Sequence, residues 1–551
     1  MSRKTTRFLS LLLLLTGTAG AATITINGAQ TYQTIDGFGV NANSGSWTNT
    51  DLQPVLDALI DQAGMTMFLA EFVGNCNWEA TNANPGASLT NWTYFNSIYS
   101  EPDFQQLWGM MAYLNQRGIT NGLMPKFTGP TALWMGGQSL TSGYENEYAK
   151  MLASALIYAR QTQHLQFKIV PPLNEPDITQ KTGVHLSGAP QYVTVVNDLG
   201  RQLDTNGMSD VRFSGPELAT ISTNWMATMM GDTNLMSKLA HFGLHSYVGN
   251  SPAPSGVYNF IQHSAYPNTH FWMTEFSVWC NSCLNGTSGN NTWANAQGIA
   301  NALIDNLADG ASAGLAFDAY DSVYDGYDTS TGEDEPGTWG LWGLFAVDDR
   351  NALRRTYTPR KQFYTLSQIT KYVRPGAKCI DVSGSVTPLN LIAFYHPTTG
   401  QLTLTGVNTG NSVVALTGTL AALPSVTSLE LYYTDSTVNL SDNGSVPVAN
   451  GSFAVNVPAN CVFTLVGSAS AGGAPVVTET VVIDPAIILR GSNGVPNGQY
   501  VVLSTTNAAL PQTQWTPLAT NTFGPTGLFD CTNTVPDTDW QRYFRVVWTV
   551  P

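Results

Sequence analysis

The sequence predicts a (β/α)8 barrel carrying a β-sandwich and a small C-terminal β module. Across residues 35–372, short β-prone apolar runs alternate eight times with segments whose apolar residues recur at helical spacing, over roughly 330 residues. From Lys378 the texture changes to short alternating runs broken by turn residues, the pattern of a sandwich. Two glutamates, Glu175 and Glu275, stand at the polar tips of two of the barrel runs, where that fold presents its functional groups.

Taken in order, residues 1–22 carry Arg3, Lys4 and Arg7, an apolar run Phe8 to Leu15 and a small-residue site at Ala19-Gly20-Ala21. This reads as a signal peptide, too short for a stable anchor, so an exported protein, secreted or at the cell surface, is expected. Residues 23–34 alternate as a strand that joins the sandwich. The barrel then begins at Gln33 to Val40. Leu52, Val55, Leu56, Leu59 and Ile60 mark its first helix, closed by Gly64. Met65 to Phe72 and Asn121 to Phe127 are the next two strands, with a helix through Phe104, Leu107, Trp108, Met111 and Leu114 between them. Ser142 and Glu145 are spaced as a capping box for the helix bearing Tyr148 and Met151.

The fourth strand ends in FKIVPPLNEPD, Phe167 to Asp177. Its alternating run stops on two prolines and then presents Asn174 and Glu175 ahead of Pro176. A helix from Tyr192 to Leu203 follows, then strand Val211 to Gly215, a helix near Trp225 to Met230, strand His241 to Tyr247 and a helix near Tyr258 to His263. The seventh strand, in HFWMTEFSVW, His270 to Trp279, has Glu275 as its polar tip. A helix around Ala300 to Leu307, strand Ala313 to Asp318 and a last helix near Arg360 to Tyr372 complete eight units. Strands four and seven lie on opposite sides of a barrel mouth, so both carboxyls can face one cleft. Residues 373–467 form the sandwich, with LNLIAFYH, QLTLTGVN, SLELYYT, SFAVNV and CVFTLVG as strands. A Ser/Ala/Gly linker at 468–475 leads to the small module at 476–551.

With 43% hydrophobic and 11% charged residues the chain has ample material for a large core, and its formal charge is −15. An acidic chain without a Lys/Arg stripe is not expected to bind nucleic acid, and beyond residue 22 no apolar run is long enough to span a membrane. Six cysteines in an exported chain favour disulfides over metal ligands. The Cys280-x-x-Cys283 spacing is expected to staple a loop, Cys379 and Cys461 fall near the two ends of the sandwich, and Cys76 and Cys531 have no obvious mate.

The NEP motif, the TE of WMTE on strand seven, IDGFG at strand one, the tryptophan of ALWM after strand three and YVRPGAKCIDVS before the sandwich together resemble clan A glycoside hydrolases. Glycoside hydrolase family 30 and its close relatives are most similar, over roughly Thr23 to Gly467. The resemblance implies a retaining β-glycosidase acting on a polysaccharide or oligosaccharide, with Glu175 as general acid/base and Glu275 as nucleophile. In that chemistry the two carboxyls lie about 5 to 5.5 Å apart, and the acid must hold its proton near neutrality, which a poorly solvated cleft and a neighbouring negative charge favour. Asn174 is expected to donate to the sugar 2-hydroxyl, and His245 and Tyr247, in GLHSY, to hydrogen-bond and orient Glu275. Trp134 and Trp279 are expected to offer ring faces to a sugar. No metal or organic cofactor is expected, and the protein is expected to be a monomer.

One position departs from the pattern. Clan members usually carry an arginine on strand two that supports the nucleophile, whereas MTMFLAEF has Leu69 and Glu71 there. A catalytically inactive carbohydrate-binding protein on the same barrel is therefore the alternative, and an adhesion role for the C-terminal module a third reading. Four of the site residues also have a structural reading: Glu175 as a helix-start carboxylate, Glu275 as an ion-pair partner, His245 and Trp134 as core. Glu71 and Glu217 also end strands and compete as carboxylates. Asp318 and Asp321 either line outer subsites or cap the next segment.

Overall fold

The computed structural model describes residues 20–48, 51–73, 76–86, 88–328, 333–348, 355–468, 475–483, 486–492, 494, 498–524, 527–534 and 541–548. Most of the expected signal peptide and of the 468–475 linker lies outside the described residues.

Strand β1 (Gly20–Thr34) precedes the barrel. The barrel strands are β2 (Gly37–Asn43), β3 (Met67–Val73), β4 (Leu123–Thr128), β5 (Ile169–Val170), β6 (Arg212–Leu218), β7 (Leu239–Val248), β8 (Phe271–Val278) and β9 (Ala313–Ala316). They form one parallel sheet in the order β4-β3-β2-β9-β8-β7-β6-β5, which curls until β4 lies beside β5. β5 is only two residues long because Pro171 and Pro172 have no N–H to continue the ladder. Helices α1 (Gln53–Asp57), α2 (Pro102–Gln116), α3 (Glu145–Gln161), α4 (Ala189–Thr205), α5 (Trp293–Ala308) and α6 (Lys361–Thr370) are among those between and after the strands. α1 runs on as a π-helical turn over Ala58–Gln62, so the expected single helix changes winding midway. Ser142 does not cap α3. Tyr144 takes the N-cap position without a side-chain bond, and the Glu145 carboxylate reaches back to the Gly143 N–H at 2.8 Å.

Most barrel strands are buried on both faces, which is why they read as continuous apolar runs rather than alternating ones. Met67, Leu69, Met124, Trp272 and Leu315 fill the barrel interior. The helices' apolar faces cover the outside of the sheet, where Phe68, Leu107, Leu156, Leu199 and Leu303 are fully or almost fully buried in one continuous core.

β1 lies in a nine-stranded sheet with the strands between Lys378 and Ser468, antiparallel to Lys378–Ser385 and parallel to Val414–Ala421. The expected N-terminal strand thus sits inside the sandwich region, and it starts at Gly20, three residues before the anticipated boundary. Two strands, Val414–Ala421 and Ser441–Pro447, add to the five anticipated from Leu389 onward. The C-terminal module has two three-stranded sheets around Leu489, Tyr500, Val502, Phe523 and Phe529.

Cys280 and Cys283 form the expected disulfide. Cys379, Cys461 and Cys531 are free and buried. Cys379 and Cys461 are kept apart because the strands Leu389–His396 and Gln401–Asn408 lie between theirs. No described helix is long and apolar enough to cross a membrane.

Candidate active site

A cavity of about 430 Å³ opens at the C-terminal ends of the barrel strands, and Glu71, Asn174, Glu175, Tyr247, Glu275 and Trp279 all line it. Strand order alone brings these residues together: they end β3, β5, β7 and β8, or follow them directly.

Glu275 is 4% exposed, and both its oxygens are engaged. Oε1 accepts from Lys126 Nζ at 2.7 Å and Oε2 from the Tyr247 hydroxyl at 2.7 Å. Burial by itself would raise this carboxyl's pKa. The charges of His245 and Lys126 and the hydrogen bonds from Lys126 and Tyr247 outweigh it and hold the group below the ordinary carboxylate range. Lys126, in the middle of β4, is fully buried and also lies 3.7 Å from Glu71. Burial would strip its charge, yet Glu275, Glu71 and Glu217 hold it ionised above its usual value. The cation beside Glu275 therefore comes from the third barrel strand, while the second supplies Glu71. Lys126 was not anticipated from the sequence; its one signal is a lysine inside the apolar run LMPKF.

Glu71 is 2% exposed, and its Oε2 has no hydrogen-bond partner. Burial pushes its pKa up to about 7 against the pull of Lys126. Behind it Asp318, raised well above the carboxylate range by burial and the charge of Glu71, accepts from the Tyr324 hydroxyl at 2.6 Å. Asp321 is paired with both terminal nitrogens of Arg360, at 2.6 and 2.7 Å. Neither aspartate lines the cavity; both bind backbone N–H groups that follow them, at Ala319 and at Gly343 and Val347.

Glu175 sits just past β5 with φ +44°, a left-handed conformation uncommon outside glycine. Its N–H bonds the Glu217 carbonyl at 2.8 Å, which holds that turn against β6. Its Oε2 accepts from Gln180 at 2.5 Å and its Oε1 lies 2.9 Å from His245 Nδ1. His245 does not orient Glu275 as anticipated. Nδ1 is 3.6 Å from Glu275, and Nε2 faces Glu217 at 3.2 Å. The reason is occupancy: Lys126 and Tyr247 already take the two oxygens of Glu275. Tyr247 does make its anticipated bond. Glu217 is wholly buried, receives hydrogen bonds from His245, Ser214 and Thr274, and does not reach the cavity.

Asn174 lines the cavity with its donor turned away. Its side-chain amide gives a proton to the Thr182 carbonyl at 2.9 Å, and its Oδ1 is buried without a partner. Trp279 lines the cavity together with Trp342, their ring centroids 5.5 Å apart. Trp342 was not anticipated, since it follows a long excursion after β9 whose path spacing does not predict. Trp134 does not line the cavity. Its indole N–H is bonded to the Glu79 carbonyl at 2.8 Å, and its ring packs edge-on against Tyr144. Trp47 and Trp78 are core residues.

One oxygen each of Glu175 and Glu275 and one nitrogen of His245 lie within 4.8 Å of one another. That spacing suits a metal, but the donors here are already committed. Both His245 nitrogens face carboxylates, and the Lys126 ammonium occupies the cationic position on Glu275. The group is a hydrogen-bonded acid–base set.

No protein-family model matches the chain, and no curated protein does. Solved structures do. A glycoside hydrolase family 30 subfamily 8 xylanase from Clostridium acetobutylicum superposes with a TM-score of 0.61 at 18% identity, over 81% of this chain and 100% of that one. A family 30 endoxylanase from Clostridium papyrosolvens gives 0.59 at 20% identity, and the catalytic domain of a family 30 xylanase from Talaromyces cellulolyticus 0.60 at 18%, each with the same coverage. The chain has the fold of the family 30-like clan A glycoside hydrolases, a barrel joined to a β-domain.

Proposed function

We propose that the chain is an exported, retaining β-glycoside hydrolase that cleaves a polysaccharide or oligosaccharide by double displacement. The observation that carries this reading is the approach of Glu175 and Glu275 to within 4.8 Å, oxygen to oxygen, in one cavity. Inverting enzymes need about 6.5 to 9.5 Å between their carboxyls to admit a water, whereas retaining ones keep about 5 to 5.5 Å. Export rests on the signal-like residues 1–22.

In the first step the Glu275 carboxylate forms a bond to the anomeric carbon as the glycosidic C–O bond breaks, and Glu175 gives its proton to the departing oxygen. In the second step Glu175, now a carboxylate, takes a proton from water, whose oxygen bonds to the anomeric carbon and releases Glu275. Lys126 and Tyr247 keep Glu275 ionised before attack and stabilise it as it leaves. Trp279 and Trp342 give the sugar an apolar wall. Lys126 gives Glu275 a cation although the second strand lacks the arginine, which supports hydrolysis over the alternative of a catalytically inactive carbohydrate-binding protein.

The test is NMR of the first anomer released across a panel of β-linked glycans and aryl β-glycosides. Release of the β-anomer supports the reading. Release of the α-anomer, or binding without turnover across the panel, overturns it.

A further inference from the structure

Both ring nitrogens of His245 face carboxylate oxygens: Nδ1 lies 2.9 Å from Glu175 and 3.6 Å from Glu275, and Nε2 lies 3.2 Å from Glu217. A carboxylate only accepts, and a neutral imidazole has one N–H: Nε2 meets ionised Glu217, while Nδ1 faces ionised Glu275 before attack and ionised Glu175 once that group has given up its proton, so serving both ends requires the imidazolium. The ring is fully buried, which by itself would discharge it. The titratable groups around it are Glu71 on β3, Lys126 on β4, Glu175 after β5, Glu217 on β6, Tyr247 on its own strand and Glu275 on β8. Among the carboxyls touching it, Glu217 alone does not reach the cavity and is not altered by the proposed reaction.

We propose that Glu217 is a positioning residue: a fixed buried anion that keeps His245 an imidazolium, so that one cation serves Glu275 and Glu175 in turn as negative charge passes between them. This rests on the double-displacement reading. Before attack the ionised groups are Glu217 and Glu275 against Lys126 and His245. When Glu275 becomes an ester, Glu175 has lost its proton, and the ionised groups are Glu217 and Glu175 against the same two cations. With Glu71, whose pKa burial raises to about 7, in its protonated form, the charges cancel in both states. The imidazolium Nδ1–H is already at hydrogen-bond distance from Glu175 and needs to cover only the difference between 2.9 and 3.6 Å to follow the charge. No proton enters or leaves the buried set except the one Glu175 exchanges with the leaving oxygen and with water. Burial opposes the charge on His245, but the charge of Glu275 and the bonds to Glu175 and Glu217 lift its pKa to about 10. Burial likewise opposes charge on Glu217, and the hydrogen bond and charge of His245 bring its pKa down to about 2.

The test is NMR of the full chain with ¹⁵N-labelled histidine rings, titrated from pH 6 to 8.5. In the wild type, one histidine keeps two slowly exchanging ring N–H protons throughout. In Glu217→Gln the same ring loses one proton inside that window, and Glu217→Asp restores it. With a turned-over glycan, Glu217→Gln lowers kcat ~10-fold or more with a smaller change in KM, and moves the alkaline limb of kcat to lower pH. A wild-type ring that is neutral at pH 7 overturns the proposal, and this arm needs no variant to fold. An unmoved titration or an unmoved kcat profile in Glu217→Gln also overturns it. The ring titration needs no substrate, so a chain that cleaves no glycan would defeat the functional reading while leaving the pairing of Glu217 with His245 in place.

Discussion

His241 and His245 stand on the same strand, both buried, and their surroundings push their pKa values in opposite directions. His241, at 2% exposure near the bottom of the barrel, stacks on Trp272 with ring centroids 3.4 Å apart, and its Nε2 has no hydrogen-bond partner. Burial lowers its pKa to about 3; the charges of Glu217 and Asp36 oppose this without reversing it. Asp36 is close by but is taken up by His270 and the Trp272 indole, each at 2.7 Å. His245, with no exposed surface at the top, is held near 10 by three carboxyls. Burial alone removes charge from an imidazole; fixed anions at hydrogen-bond distance keep it. The two histidines differ in this respect: His241 lies against a ring while Asp36 is held by His270 and Trp272, whereas His245 has carboxylate oxygens facing both its nitrogens.

The largest effect that would break this contrast comes from removing the anion itself. Glu275→Gln is expected to lower turnover of a cleaved glycan by ~10³-fold or more while the far-UV spectrum stays native. Lys126→Met, of similar length, should lower kcat by ~10² to 10³-fold, as loss of one fixed electrostatic partner does, and destabilise the fold by about 3 kcal/mol in urea because Glu275 is left buried without its cation.

The paired substitutions His245→Asn and His241→Asn sharpen the contrast. The first should reduce kcat by ~10-fold or more, within the range a positioned acid–base partner supplies. The second should leave kcat within ~2-fold and shift stability by about 1 to 2 kcal/mol. Their pH signatures also differ in sign. His241 has a folded pKa below its ordinary 6.5, so the unfolded chain binds its proton first and stability falls as pH drops from about 6.5 towards about 3. His245 has a folded pKa above 6.5, so its contribution is complete below 6.5 and is lost as pH rises towards about 10. Urea midpoints against pH should show a flatter acid limb in His241→Asn alone. The smallest effect is at the cavity wall: Trp279→Ala should raise KM ~3- to 10-fold with kcat nearly unchanged, the scale of one lost aromatic contact.

Much of this was legible in the chain. Eight alternations of strand and helix located the barrel, and the ends of the fourth and seventh strands located Glu175 and Glu275. Tyr247 followed from its place two residues past His245 on a strand facing the same mouth. What escaped depends on side-chain competition across strands. Lys126 reads as a lone charge in an apolar run until its neighbours are known to be Glu71 and Glu275. The partner of His245 could not be read because it is decided by which groups reach Glu275 first, and by a register shift that sets Glu275 rather than Thr274 opposite it. Glu217 takes φ +59° within β6, where the ladder to β7 shifts register between Pro216 and Leu218, and no periodicity announces that. Trp134 lay in a glycine-rich loop like a mouth residue, but its N–H found a backbone carbonyl instead.

The central claim is that Glu275 bonds to the sugar while Glu175 moves the proton. Incubation with 2-deoxy-2-fluoro-β-glycosides bearing an activated leaving group, chosen to match a glycan the chain cleaves, followed by peptide mass mapping, tests it most directly. A stoichiometric glycosyl label on the peptide containing Glu275 is the predicted result. A label on Glu71 or Glu175, or turnover with no covalent species under conditions that trap the intermediate, would contradict the account.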